Sequence, residues 1–593
     1  MEATKKISIY LFILTISLFL FLRADSDFGH VESGIYFDYT ESIVEDGDFN
    51  IVDEFFDKPE KKYVTKNYYY PDFHSHGSVI YWNYLYSFGL LVNKSLGLSG
   101  DEREVLLQTA LSFSSVFFFM LGMILLPHTL SLFNIKLTKA YYFLLPLLTP
   151  LYFYTVMEPG NGSIVAFPLV QLFMIAYIKT LENLNYKNSI FLGAFLALSF
   201  ISKVDSVFYG LLPFHLYFYF YKEKSFITIS KYVVVFLCSF FLVNSLQMFN
   251  DYLKYGLLAY GYLDTIFTDY NLFFEVLLSS YHGIFYYSPI YIFASLGFIV
   301  LLKDSFKNLN LSFLKTKNFL IIYLVGIVVV KLYLFAGSYS HGSGVFGGRQ
   351  FMCEIPIALI CLNYLFNKFK NKYFEYSTLS LCLIWSLIVF FSYRDMSLDS
   401  ANFTPWDVNS KYYFFNIINR KEEFLSFVGS LFFNFSEVGL KFTWLIVFPL
   451  GAAFLLCQLS QKNIRRFTIS FLIFFTGTYA VQTSYNFFLG RENVKKMKDN
   501  GFMDNALVGN GVRMYFYYEN VGSLNERLIF LKTNNRKEEF QQVLGIRDRY
   551  HEEATRQILV HPDPKLPIYH YYKEFFTEHH MIEGMKELGI EFP

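Results

Sequence analysis

The sequence predicts an all-α polytopic membrane protein of about thirteen transmembrane helices with extracytoplasmic loops, plus a small C-terminal soluble α+β module. Three observations predict it. Of the 593 residues, 54% are hydrophobic and only 17% charged, a balance too apolar for an ordinary soluble chain of that length. Apolar runs recur along the chain at lengths approaching the roughly 20 residues a helix needs to cross the hydrocarbon core. The short segments between them carry lysines and arginines on alternate sides, as cytoplasmic loops do.

In chain order the expected spans are 7–22, 105–132, 141–156, 164–179, 190–201, 207–221, 232–248, 284–302, 319–335, 355–369, 379–393, 440–459 and 467–481. If they alternate, Lys5-Lys6, Lys136 with Lys139, Lys187, Lys222 with Lys224, the lysines of 303–317, those of 368–372 and the basic residues of 462–466 share one side. That side reads as cytoplasm, which places the N-terminus inside and the C-terminus outside a plasma (inner) membrane. The long loops 23–104, 249–283, 336–354 and 394–439 then meet on the outer face. Lys5-Lys6 before an apolar run also suits a signal peptide, but no small-residue cleavage site follows, so it reads as a retained first span. The transmembrane domain covers 1–483, and 484–593 forms the outer module, with short strands expected at 514–518 and 527–531 and helices at 536–544 and 572–588.

Lys+Arg and Asp+Glu both total 50, so no global basic surface points to nucleic acid, and none is expected as a partner. Of the five cysteines, Cys238, Cys361, Cys382 and Cys457 sit in apolar runs and Cys353 follows a polar loop. Their spacing gives neither a disulfide framework nor a zinc site.

Carboxylates crowd the first outer loop, from Asp25 and Asp27 through Glu32 and Glu41 to Asp48. A carboxylate at the mouth of a membrane cavity can take a proton from an attacking hydroxyl or amine, although acidic residues in such a loop more often only face water. The segment 70–82 sets His74 and His76 before an apolar interfacial helix, where they suit phosphate binding or a shared metal. With no third ligand nearby, a metal is the lesser reading, and no cofactor is expected beyond a divalent cation as an option. Glu158, in Glu-Pro-Gly-Asn-Gly, closes the outer end of one span, and Lys203 with Asp205 closes another, where mutual neutralisation is the plain alternative. Two later loops each lead a glycine-containing polar turn into a span: 280–289 with His282, and 336–350 with His341 and Arg349. Glycines let backbone N–H groups approach an anion, and a guanidinium near a helix start offers a two-pronged fork for phosphate.

Taken in order, these blocks resemble the polytopic lipid-phosphate-sugar glycosyltransferases of the C superfamily, near the bacterial protein-mannosyltransferase-like and lipid A aminoarabinose-transferase-like branches. The resemblance spans roughly residues 7–369. Tyr36, Ser42 and Gly47-Asp48 match the family's turn after the first span, and on that register Glu32 falls where the family has its catalytic aspartate. Glutamate replaces aspartate here, and Asp27 or Asp25 fills the role if the loop is shifted. His76-Gly77, Lys203 with Asp205, the segment 280–289 and the glycine-rich turn ending at Arg349 look like further family motifs. The tail from Ser484 is not covered.

The resemblance implies an inverting transfer of a sugar from a polyprenyl-phosphate donor, held among membrane lipid, to an acceptor of the cell envelope. Glu32 or Asp27 would assist the nucleophile. Arg349, with Lys203 or His282, would hold the departing phosphate, while His74, His76, Tyr36, Asp205, Glu158 and His341 would line the substrate site. The acceptor stays open between lipid, protein and glycan. The rival readings are a polysaccharide polymerase or ligase, and a lipid or polysaccharide transporter without transferase activity.

Overall fold

The computed structural model describes residues 2–24, 31–52, 63–65, 67, 69, 76–136, 138–255, 258, 273–278, 283–308, 311–336, 347–398, 421–433, 464–500, 507–509, 541 and 544–545. The main elements are α1 (Glu2–Arg23), α2 (Val31–Glu41), α3 (Gly77–Leu96), α4 (Asp101–Leu132), α5 (Lys139–Leu148), α6 (Gly162–Glu182), α7 (Tyr186–Ser202), α8 (Phe226–Tyr255), α9 (Ile290–Ser305), α10 (Lys317–Ala336), α11 (Ile355–Phe369), α12 (Lys372–Leu398), α13 (Lys421–Phe433), α14 (Ile464–Tyr485) and α15 (Arg491–Asp499). The strands β1 (Tyr63–Thr65) and β2 (Leu507–Gly509) pair in parallel.

Six of these helices are long and apolar enough to cross a membrane: α4, α6, α8, α10, α11 with the turn before it, and α12. The chain is thus an all-α, membrane-embedded protein, but the described residues do not give thirteen spans. The breaks have local causes. The expected span 141–156 stops where α5 ends at Leu148, because Pro150 has no N–H to continue the ladder, and resumes as a π-helical turn Phe153–Met157. The expected span 207–221 is a 3₁₀ helix, Val204–Phe214, which gives way to the short helix His215–Tyr219 around Pro213. Pro289 splits 284–302 into Ile284–Tyr287 and α9. The apolar part of α1, Ser8–Arg23, and all of α7 are shorter than the six. The α14 helix carries Thr476, Thr478, Gln482 and Thr483 in its second half and is not one of the six, and 440–459 lies outside the described residues.

The expected module boundary does not fall at the end of an element. Helix α14 runs past Ser484 and continues through a π-helical turn, Asn486–Gly490, into α15. No separate α+β module stands among the described residues. The expected strands 514–518 and 527–531 and the helix 572–588 lie outside them, as does all of 536–544 except 541 and 544, which are helical; besides α15 the tail contributes β2, whose Leu507 pairs with Tyr63 of the first loop.

The helices differ in how far they are enclosed. Helices α4 and α6 are enclosed along almost their whole length, whereas α8 and α10 leave more than half of theirs facing outward. Between helices that gain little from hydrophobic contrast, close approach over small residues supplies the attraction. A methyl group on Gly193 of α7 would lie 2.2 Å from the Phe236 carbonyl oxygen of α8, and one on Gly297 of α9 would lie 2.0 Å from that of Cys361 in α11. Asn161 caps α6 by accepting from the Ser163 N–H at 2.9 Å, and Asn185 caps α7 in the same way through Asn188.

The helix ends sort into two faces. On one, Lys315 pairs with Glu223, Lys368 with Asp304 at 3.2 Å, Lys317 with Asn134, and Tyr141 donates to Glu375 at 2.7 Å. The loops around 134–141, 222–224, 303–317 and 368–375 therefore meet at one end of the bundle. The other face gathers the starts of α3, α6 and α11 with the ends of α7, α8, α10 and α14, and there the buried polar groups accumulate.

Candidate functional site

The meeting point is the end of α7. Its last residues, Ile201 and Ser202, touch two glycine-started helices: a methyl group on Gly77 would lie 2.2 Å from the Ile201 carbonyl oxygen, and one on Gly162 would lie 2.6 Å from that of Ser202. The Gly162 methyl would also lie 2.9 Å from Ser78 Oγ and 3.3 Å from Tyr36 Oη. Tyr36, from α2, thus reaches the start of α6, with its ring edge-on to Trp82 at 5.4 Å. Glu158, buried four residues before Gly162, ends the π-helical turn, and the Gly160 N–H that follows donates to Ser115 Oγ at 2.8 Å.

From Ser202 the chain leaves the helix in extended form at Lys203 and enters the 3₁₀ helix bearing Asp205. Asp205 is neutralised from another helix: Lys331, 1% exposed within α10, lies 2.9 Å from Asp205 Oδ2 and 2.9 Å from Glu354 Oε1. Beside the alternative of mutual neutralisation with Lys203, Asp205 thus has a partner across the fold. Lys331 Nζ also donates to the Gln350 carbonyl at 2.5 Å and lies 5.1 Å from the Phe351 ring centroid, while Tyr209 Oη donates to Glu354 Oε1 at 3.3 Å. A lone lysine in an apolar helix turns inward because burial with paired carboxylates costs less than exposure to lipid.

Gln350 and Glu354 belong to the 3₁₀ turn Arg349–Glu354, which also presents Arg349, 9% exposed. The two glycines before it act sterically. Gly348 has φ +82°, a left-handed conformation that a β-carbon opposes, and a methyl group on Gly347 would press on the Tyr287 ring at 2.5 Å. The same short turn thus carries Arg349 at its start and, five residues on, the Glu354 that pairs with Lys331.

A second buried cluster adjoins the first through His76. The His76 N–H donates to Gln247 Oε1 at 3.3 Å, Tyr479 Oη donates to the same oxygen at 2.6 Å, and Gln247 Nε2 donates to Asp251 Oδ1 at 2.7 Å. The His76 ring is 2% exposed and packs at 4.8 Å centroid distance against both Tyr39 and Phe49, with Lys254 bonded to Tyr39 Oη. His76 is thus a packed member of this cluster and does not sit at a water boundary. Farther along, Asn250 donates to Thr483, Asn486 donates to Asn250 and accepts from the Phe49 N–H, and Asn493 donates to Asp48 at 2.9 Å. Ser42 and Asp48, matched to a motif in the sequence, bond to each other at 3.0 Å and shape the loop.

A third group lies around the corner of α2. Asp38, two residues from Tyr36 and so on another face of the helix, faces Glu41 and Glu104. Burial, then those two carboxylates, push its carboxyl up to about 7. Burial and then Glu45 also raise Glu41, while Tyr86 donates to Glu45 at 2.7 Å and Arg103 lies 2.5 Å from it.

Of the expected site residues, the structure gathers Tyr36, Glu158, Lys203, Asp205 and Arg349 around the α7 end and puts His76 beside them. His74, His282, His341 and Asp27 lie outside the described residues, as does the side chain of Glu32, whose backbone belongs to α2. Sequence reasoning missed Lys331, Glu354, Gln247, Asp251 and Asp38. A lone lysine inside an apolar run was the signal available for the first of these. Among the described residues no group of three or more His, Cys, Asp or Glu side chains is placed to hold a metal ion. Comparison with protein-family models, with curated proteins and with solved structures finds no match to this chain.

Proposed function

We propose that the chain is an inverting glycosyltransferase that moves a sugar from a polyprenyl-phosphate donor to an acceptor outside the cytoplasm. The observation that carries the reading is the convergence, at one end of a bundle of apolar helices, of Lys203 and the Arg349 turn beside half-buried Asp205 and buried Glu354, Glu158 and Tyr36. Cations at the ends of membrane helices suit a phosphate whose hydrocarbon chain lies in the lipid. The resemblance of the motif order to the C superfamily supports the same reading.

The acceptor's hydroxyl or amine attacks the anomeric carbon from the face opposite the phosphate. A C–O or C–N bond forms, the C–O bond to phosphate breaks, and polyprenyl phosphate departs with the electron pair. Arg349 and Lys203 stabilise its growing charge, with His282 as a further donor. The nucleophile's proton passes to Glu32, or to Asp27 in the shifted register. The lysine-bearing face is cytoplasmic and the site faces outward across a plasma membrane.

A transporter reading draws on the same buried ion pairs, since intramembrane charge also marks substrate paths. The test is transfer in nanodiscs from a purified polyprenyl-phosphate sugar to an envelope extract, read by mass spectrometry of glycolipids and glycoproteins. Wild type labels an acceptor, and Glu32→Gln, inserted at the wild-type level, does not. Movement of unmodified lipid with no product of transfer rejects the enzyme in favour of the transporter.

A further inference from the structure

Lys331 is the least expected charge in the molecule: it lies in the apolar helix α10, five residues before that helix ends, and is enclosed on every side. Its three polar partners belong to two different segments. Asp205 sits two residues after Lys203, whereas the Gln350 carbonyl and Glu354 follow Arg349 in one short turn. The cation therefore ties together, at 2.5–2.9 Å, the two pieces of backbone that bear the basic residues of the site. Tyr209 fastens the same joint from the 3₁₀ helix by donating to Glu354 Oε1, and Phe351 covers the ammonium.

We propose that Lys331 is a positioning residue for the donor-phosphate site, clasping the Arg349 turn to the Lys203–Asp205 segment, and that it acts through Asp205, Glu354 and the Gln350 carbonyl without touching the phosphate. This rests on the glycosyltransferase reading for what the site binds, although the clasp itself does not. With hydrogen bonds to the Gln350 carbonyl and Glu354 and the Asp205 carboxylate 2.9 Å away, the ammonium is already surrounded before any ligand arrives. Its removal leaves buried Glu354 and half-buried Asp205 close together without their cation, which drives the two segments apart. The two basic side chains lose their common geometry, and a phosphate that needs both binds less well.

The experiment uses the full chain in nanodiscs with two readouts. The first is the rate at which a small maleimide modifies Gln350→Cys, followed by mass spectrometry of that peptide. The second is binding of polyprenyl phosphate itself. Lys331→Met is expected to speed the labelling at least about tenfold and to weaken binding by a similar factor, while Lys331→Arg keeps both near wild type. The double variant Lys331→Met, Glu354→Gln removes one charge of each sign, and it is expected to recover most of both effects and most of the lost melting temperature. Labelling that does not change in Lys331→Met overturns the clasp. Recovery of labelling in the double variant without recovery of binding overturns the indirect role, because it makes Lys331 a phosphate ligand. Wild-type protein that binds no polyprenyl phosphate, with labelling as predicted, rejects the donor reading and leaves the clasp standing.

Discussion

The two buried polar clusters beside the α7 end solve the same problem differently. Around Lys331, ions touch ions: one ammonium stands 2.9 Å from each of two carboxylates. Around Gln247, the joints between α3, α8 and α14 pass through amides and hydroxyls, from His76 and Tyr479 onto one side-chain oxygen and from the amide nitrogen to Asp251. Point charges tolerate small changes of angle but not loss of a partner, because the remaining charge is stranded in a poorly solvating medium. An amide hub is directional, and its loss leaves several groups each short of one hydrogen bond. The difference assigns the clusters separate work. The ionic one fixes the turn that carries Arg349, and the amide one fastens the first loop to the last described helices.

That contrast is most sharply broken at Gln247. Gln247→Leu keeps the bulk and removes the hub, so Tyr479, the His76 N–H and Asp251 all lose a partner. The expected loss is about 2–4 kcal/mol of stability, taking roughly 1–2 kcal/mol per stranded group with partial relaxation. Thermal unfolding in nanodiscs measures it, and limited proteolysis near residues 42–52 should accelerate in parallel. Glu354→Gln, which leaves Lys331 paired with Asp205, should cost less, about 1–3 kcal/mol. If the clusters are independent, the two losses add in the double variant; a coupling above about 0.5 kcal/mol joins them into one network.

A smaller effect separates both clusters from the acidic corner of α2. Asp38 has its carboxyl raised in the folded protein to about 7 from a usual value of 3.8. Its contribution to stability is therefore fully present below about pH 4 and is lost as pH rises through 7. Asp38→Asn should leave stability at pH 4 nearly unchanged and raise it at pH 8, flattening the decline between them. A decline equally steep in the variant places the titration elsewhere.

The membrane helices were legible because apolar composition over 20 residues needs no partner to be read. Helices α4, α6, α8 and α10 follow directly from it. What the apolar runs concealed were the breaks near Pro150 and Pro289, where a hydropathy pattern continues but the helix does not, and the 3₁₀ course of 204–214. Glu158, Lys203, Asp205 and Arg349 were singled out from local chemistry near expected span ends and Tyr36 from the family resemblance, and the structure brings their segments near the end of α7. The partners that organise them were not singled out. Lys331 meets Asp205 over 126 positions of sequence, and Gln247 meets Tyr479 over 232. Nothing local to α10 or α8 announces such a meeting beyond the single charge or amide in an apolar run.

In the proposed glycosyltransferase, Arg349 is the anchor of the donor phosphate. The most direct test of that role is single-turnover transfer from a purified polyprenyl-phosphate sugar by wild type, Arg349→Lys and Arg349→Ala in nanodiscs, with donor binding measured alongside. Arg349→Lys keeps the charge but loses the two-pronged fork. The loss of one hydrogen bond to a charged group, about 2 kcal/mol, is roughly thirtyfold in rate or affinity. The account predicts that drop in Arg349→Lys, a larger one in Arg349→Ala, and a greater fall in turnover than in binding if the contact strengthens as the phosphate departs. Transfer at the wild-type rate by correctly inserted Arg349→Ala contradicts it.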